Sequence, residues 1–448
     1  MASSPDGLTE QLLVAAQKAG ADAADALAIN ASAHTIDIRA GALEQAERSE
    51  SIDIGLRVFV GQKQACVSAT NVRPDTISAL AERAVAIAAA EPEDARICLA
   101  ETSQLAQNWD IAALELADPS PEPSPTELQH RALEAEAAAL AVPGVRMASS
   151  TTAEHVRRHI RIAASNGFRG DYLRTQSSLS CVAIAGEGAS MQRDYDGDAR
   201  VFAADLRSPQ EIGAKAGKRA VSMLDARRPP TGTYPVLFDE RVSSTLIGHL
   251  MWSANGAAIA RWSSWLLGKM GEPVLSKGVS LVEEPHRPRV SGTRPFDAEG
   301  LPTRPRAIVE DGVLQGWLLD LANGRKLSMP STGNAQRGTT SPPSPGAGNV
   351  RLSLGAASRD ELLKDIGTGL LVTSMIGSTI NPNTGDYSRG ASGFWVQNGE
   401  ITYPVQECTI AGSLPEMLLR MTPANDARDW VSRVVPSLLI EGMTLAGE

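Results

Sequence analysis

Long stretches of this chain alternate apolar and polar residues at a period of two. "ADALAINASAHTIDIRAG" (24–41) does so, and "LEQAERSESIDIGLRVFVGQKQACVSATN" (43–71) continues it. Successive side chains of a strand point to opposite faces, so alternation of this length specifies half-buried strands rather than helices. Gly61-Gln62 falls between "IGLRVFV" and "QACVSA", where a hairpin turn is expected. An amphipathic helix over Thr9 to Ala19 precedes the strands, and an alanine-rich one over Pro74 to Ala90 follows. The first 90 or so residues therefore read α-β-β-β-α, an α+β module.

The next segment is punctuated by "DPSPEPSP", an exposed connection, which ends in a helix start. Ser124 caps, Pro125 suits the first helical position, and Glu127 reaches back to the cap amide. This predicts a helix to about Ala141. The same S-P-x-E pattern at Ser208, Pro209 and Glu211 predicts a second, to about Leu224. Between them, residues 145–188 alternate again around a Ser-Asn-Gly turn, as an antiparallel meander does. "DARRPPTGTYPVLFD" is the boundary candidate. It divides an N-terminal α+β domain, 1–228, from a C-terminal, mainly antiparallel β domain, 229–448. Beyond it, "VEDGVLQGWLLD" and "WVQNGEITYPV" each set apolar arms around Asp-Gly or Asn-Gly, a two-residue hairpin signal. "TTSPPSPGAGN" reads as a loop.

Composition narrows the function. The net charge is −10 and no basic stripe offsets it, so nucleic acid is not an expected partner. Cys66, Cys98, Cys181 and Cys408 lie far apart with no CxxC pair, which predicts buried free thiols in a reducing compartment. "MASSPDGLTEQLL" has no basic segment leading into an apolar run, and no apolar stretch reaches the ~20 residues that span a bilayer. A cytoplasmic protein without a membrane partner is expected.

Candidate chemistry is sparse. His155 and His159 are four apart, but "AEHVRRHIRIAAS" reads as a strand with arginines interleaved, so an exposed basic face is expected there. "LIGHLMWSANG" (246–256) reads as a helix bearing His249, with no second histidine within two turns. No Asp or Glu occurs between Glu240 and Glu272. A lone imidazole cannot hold zinc without partners from elsewhere. "GASGF" (390–394) and "GEGAS" (186–190) lack the spacings of a serine nucleophile or a phosphate loop and read as turns. The densest polar cluster is Asn381, Asp386, Tyr387, Ser388 and Arg389, in a glycine-rich loop where Asp386 and Arg389 are placed to pair. It is either a well-ordered turn or a loop that binds a peptide or a partner.

Four motifs in order carry a resemblance: "SNGFRGDYLRTQSSLSCVAIAGEGASMQRDYD", "STGNAQRG", "NPNTGDYSRGASGFWVQNGEITYPVQECTIAG" and "PSLLIEGMTLAGE". Together they resemble the TldD/TldE peptidase family, in its TldE (PmbA) branch, from about Leu8 onward. The resemblance implies an N-terminal α+β domain followed by a domain dominated by a curved antiparallel sheet. It implies a cytoplasmic TldD–TldE heterodimer that cleaves unstructured peptides with zinc, and an older name, modulator of DNA gyrase, that does not reflect DNA binding. In that pair the TldD subunit holds the metal through His-Glu-x-x-x-His on a helix and a later cysteine. Here Gly248, His249 and Ser253 stand at the three helix positions, and Cys408 does not match the cysteine. The resemblance thus implies no metal and no catalytic residue in this chain, zinc in a TldD-like partner, and inactivity alone. Two alternatives stand beside it. One is a peptide-binding protein with no proteolytic role. The other is a homodimeric metallopeptidase drawing ligands such as His249, His286 and Cys408 from distant loops. The equal folds of the two subunits also allow a homodimer when the chain is alone.

Overall fold

The alternating stretches build a single sheet. A computed structural model describes residues 5–447. β1 (Ala23–Arg39), β2 (Ala42–Val60), β3 (Lys63–Ala69), β4 (Val145–Ala164), β5 (Arg169–Ala185) and β6 (Gln192–Arg200) pair in the order β3-β2-β1-β4-β5-β6. Every pairing is antiparallel. β1, β2, β4 and β5 run to 17, 19, 20 and 17 residues. Strands of that length accumulate twist, and the sheet curls into a half-barrel.

Helices cover one face of this sheet. α1 (Pro5–Lys18) and α2 (Pro74–Ala90) close over the β1–β3 end, burying Leu8, Leu12, Ile77 and Leu80 against Ile54 and Leu56. α3 (Ile111–Leu114) is a single turn. α4 (Pro125–Leu140) and α5 (Pro209–Ser222) cover the β4–β6 end. Ser124 opens its helix as the S-P-x-E pattern predicts, its Oγ accepting from Glu127 N while Glu127 accepts from Ser124 N. At Ser208 only half of the pattern forms, Ser208 Oγ accepting from Glu211 N while Glu211 takes Arg207 instead. These two helices pack closely. A Cβ at Gly213 would lie 1.9 Å from Ala135 O, which explains why their shared core is built mostly from alanine.

β4 begins the predicted meander and holds both histidines of "AEHVRRHIRIAAS". The basic face is not uniformly exposed, however. His155 points to the helix-covered side, beside Ala153 and Leu179, and shares a 2.9 Å hydrogen bond with Ser177 Oγ. His159 meets Asp171 at 3.2 Å on the same strand pair. All four cysteines are free, but only Cys181 and Cys408 are buried; Cys66 and Cys98 are half-exposed.

The C-terminal half closes on itself. β7 (Gly232–Phe238) lies between the strands Gly369–Ile380 and Leu438–Ala446. Asp386–Gln397 and Glu400–Ser413 continue the sheet, and Glu400–Ser413 pairs back onto Leu438–Ala446 to complete a barrel. The pairing of β7 with Gly369–Ile380 is parallel; the other barrel pairings are antiparallel. Both predicted hairpins form, with left-handed backbone at Asp311-Gly312 (φ 48° and 83°) and Asn398-Gly399 (φ 55° and 76°). The "TTSPPSPGAGN" loop carries one two-residue strand, Ser344–Pro345, against Ala335–Gln336.

α6 (Glu240–Ser253) starts directly after β7, where Asp239 accepts from Arg241 N. Its apolar stripe of Val242, Leu246, Ile247, Leu250 and Met251 plugs the barrel core. The fold is thus α+β, a curled antiparallel half-barrel followed by a closed barrel.

Candidate functional site

The stripe that buries α6 also decides which side chains it shows. Arg241, Ser244, Thr245, Gly248, His249 and Trp252 fall on the opposite side, from half-buried to exposed. Ser253 does not join them. It faces the core at 2% exposure, and its carbonyl accepts from Ser264 Oγ at 2.7 Å.

His249 sits edge-on to Tyr387, ring centroids 6.2 Å apart. Its Nε2 is buried and has no hydrogen-bond partner among the described residues. Burial first, then the Arg389 and Arg433 charges, hold this imidazole below its ordinary pKa, so it is neutral at pH 7. Arg433 comes from the short strand Arg433–Val434, and its Nη1 lies 3.1 Å from where a Cβ on Gly248 would be. Arg389 donates from Nε to Gly377 O at 2.6 Å and lies near the Tyr387 side chain. Burial pushes the Tyr387 phenol up to about 12, so it stays neutral, and it donates to Met375 Sδ at 3.3 Å.

The glycine-rich cluster differs from its sequence reading. Asp386 to Arg389 are not a loop but the opening residues of the barrel strand Asp386–Gln397, because they pair in register with Ser413 to Ile410. Asp386 and Arg389 do not pair with each other. Asp386 accepts from Thr384 Oγ1 at 2.6 Å, while Arg389 turns to Gly377. Only the Asn381 end is a turn, held by Asn381 Oδ1 accepting from Asn383 N at 2.9 Å. Tyr387 is buried, and Ser388 is a half-buried ladder residue opposite Ala411.

This arrangement does not fit a zinc ion. A zinc ligand set needs at least three donors converging on one point, with no cation among them. Among the described residues, no group of three or more His, Cys, Asp or Glu side chains is placed to hold a metal. His249, His286 and Cys408 each have separate surroundings. His286 Nε2 bonds Thr303 Oγ1 at 2.9 Å, and Cys408 Sγ donates to Ala391 O at 3.2 Å.

Sequence reasoning missed the surroundings of α6. Arg428 Nε meets Glu240 Oε2 at 2.5 Å, and Arg241 binds Asp194 of β6 at 2.7 Å. Beside them lies a cavity of about 590 Å³, walled by β6 residues including Asp196 and Arg200, by α5, and by Trp430. A second cavity of about 220 Å³ shares Glu240, Arg428 and Val431 with it and reaches Ser244 and Arg433. No local pattern announces either cavity, since the walls come from distant segments.

Three family models match the chain in succession: PmbA/TldA metallopeptidase domain 1 over residues 24–88, the central domain over 118–224, and the C-terminal domain over 231–447. The chain is 34% identical over 431 residues to the Metalloprotease PmbA of Escherichia coli O157:H7, covering 95% of this chain and 93% of that one. It is 36% identical over 439 residues to the Metalloprotease PmbA homolog of Haemophilus influenzae, covering 96% and 94%. A crystal structure from Bacteroides thetaiotaomicron, of a protein named for modulation of DNA gyrase, superposes with a TM-score of 0.91 at 26% identity, covering 99% of both chains.

Proposed function

The chain belongs to the PmbA/TldE branch of the PmbA/TldD metallopeptidase family, and on that premise we propose that it is the non-catalytic subunit of a heterodimeric zinc peptidase. A TldD-like partner carries the zinc and cleaves the peptide, in the cytoplasm. This chain completes the enclosure and controls which unstructured peptides enter. The observation that carries the reading is the outward side of α6. Gly248 offers no ligand, His249 is flanked by guanidinium charge, and Ser253 faces the core. Water cannot be activated there without a metal or a carboxylate base.

The edge strand β6 supports a role in handling extended peptides. It ends the sheet and also walls the 590 Å³ cavity; a chain added there as a further strand would have to displace Arg219 and Arg207, whose guanidinium groups donate to Tyr195 O and Gly197 O.

The test is zinc analysis together with cleavage of an unfolded casein fragment. The purified chain is expected to hold no stoichiometric zinc and to cleave nothing, and to support cleavage once mixed with a TldD-like subunit. Chelator-sensitive cleavage by the chain alone would overturn the reading. Peptide binding with no partner and no cleavage would favour a binding protein without a proteolytic role.

A further inference from the structure

The arginines around α6 divide into two kinds. Arg241 and Arg428 carry their own carboxylates, Asp194 and Glu240. Among the described residues, Arg389 and Arg433 carry none: Arg389 reaches only Gly377 O and the Tyr387 side chain, and Arg433 lies against Gly248. Guanidinium groups bind carboxylates in a two-pronged, charge-assisted geometry. We propose that Arg389 and Arg433, with His249, form a carboxylate-binding site on the outward side of α6, and that it anchors an acidic group of a bound peptide.

Four further observations bear on this site. The His249 Nε2 is buried without a partner, and a buried polar atom left unsatisfied in a native fold calls for a missing one. An anion's oxygen supplies it. The room is at Arg433: the 220 Å³ cavity opens between Ser244 and Arg433, with His249 and Arg389 outside its walls, so an entering carboxylate meets Arg433 first. That cavity adjoins the larger one along β6, so a peptide held by its carboxylate has a path for the rest of its backbone. The chain as a whole is at −10, so two unmatched cations at one place run against its general charge.

The peptide as ligand rests on the functional reading above; the carboxylate chemistry rests on the side chains. A peptide offers a carboxylate from its C-terminus or from an Asp or Glu side chain, and the experiment separates these sources. Three fluorescein-labelled unstructured peptides serve as probes: one with a free C-terminus and no acidic side chain, its C-terminal amide, and the amide with one internal glutamate. Their anisotropy is titrated with the chain alone and with the chain assembled with a TldD-like subunit. The free acid, the glutamate peptide, or both are expected to bind at least about tenfold more tightly than the plain amide. Arg433→Gln and Arg389→Gln are each expected to remove most of that preference. Gly248→Glu, which places a carboxylate beside Arg433, is expected to abolish it. Circular dichroism and thermal unfolding check that each variant is folded. Equal affinity for all three peptides, no binding of any, or an unchanged preference in all three folded variants would overturn the proposal. Cleavage of the plain amide by the mixed subunits is followed in parallel. If it persists without any carboxylate preference, the anion site fails and the subunit reading stands; if cleavage never depends on a partner, the subunit reading is the one that fails.

Discussion

Arg337 and Arg433 both come from the C-terminal half, and they meet opposite surroundings. The Arg337 side chain is buried between the two halves of the molecule and pairs with Asp25 of β1. Asp25 also takes Arg57 of β2, whose Nε donates at 2.7 Å. Burial alone would raise the Asp25 pKa, but the Arg337 and Arg57 charges outweigh it, and the carboxyl sits below its ordinary value. Arg433 is exposed and meets no carboxylate among the described residues. The contrast separates two uses of one side chain. A charge taken out of water must be matched within the fold, or the fold does not form. A charge left in a wet cavity can wait for a ligand.

The largest test of that contrast is Asp25→Ala. It strands two buried guanidinium groups and is expected to cost about 3–5 kcal/mol in urea unfolding. A loss below about 1 kcal/mol would mean that the buried network is no more structural than an exposed ion pair.

A second test uses the acids beside that network. Glu299 and Asp297 are almost fully buried. Burial, then the Asp297 charge, pushes Glu299 up to about 8, and burial likewise raises Asp297. Both folded pKa values exceed their unfolded ones. The stability they contribute is therefore complete below the ordinary carboxylate range and is lost as pH rises through the folded values. Urea stability should fall between about pH 5 and 8 by an amount on the order of 3 kcal/mol, and Glu299→Gln should flatten much of that fall. A wild-type profile flat over that range would show the pair to be matched by charge that the structure does not supply.

Ser124→Ala gives a middle rung. It removes one side of a reciprocal cap at an exposed helix start and should cost about 1 kcal/mol. The smallest effect belongs to Arg433→Gln, expected within about 0.5 kcal/mol of the wild type in the same urea titration. A loss above about 1 kcal/mol would move Arg433 into the same class as Arg337 and remove the distinction.

Much of the scaffold was legible because its signals are local. The S-P-x-E helix starts, the Asp-Gly and Asn-Gly turns and the two-residue alternation each depend on a few neighbouring residues, and each formed. The cluster at Asp386 was misread because glycine and polar residues hide a strand that owes its place to the ladder on either side. The charge network was not legible at all. Asp25 and Arg337 lie 312 residues apart, and nothing near either one names the other. The same holds for the candidate site. His249 was singled out, but Arg433 reaches Gly248 only because the short strand carrying it adds onto a separate sheet, beside Val350–Leu352.

One further property follows from the unequal lengths of β2 and β3. β3 pairs with β2 only from Ile54 to Val60, so the earlier half of β2 forms a free rim of the half-barrel. An uncovered rim with open peptide groups invites a second molecule to zip on and start a fibre. This one carries Glu44, Glu47, Arg48 and Glu50, all exposed, with Arg48 clasping Glu50 at 2.6 Å. Two copies brought rim to rim would crowd like charges together, so the charge pattern on this free strand guards the protein's solubility.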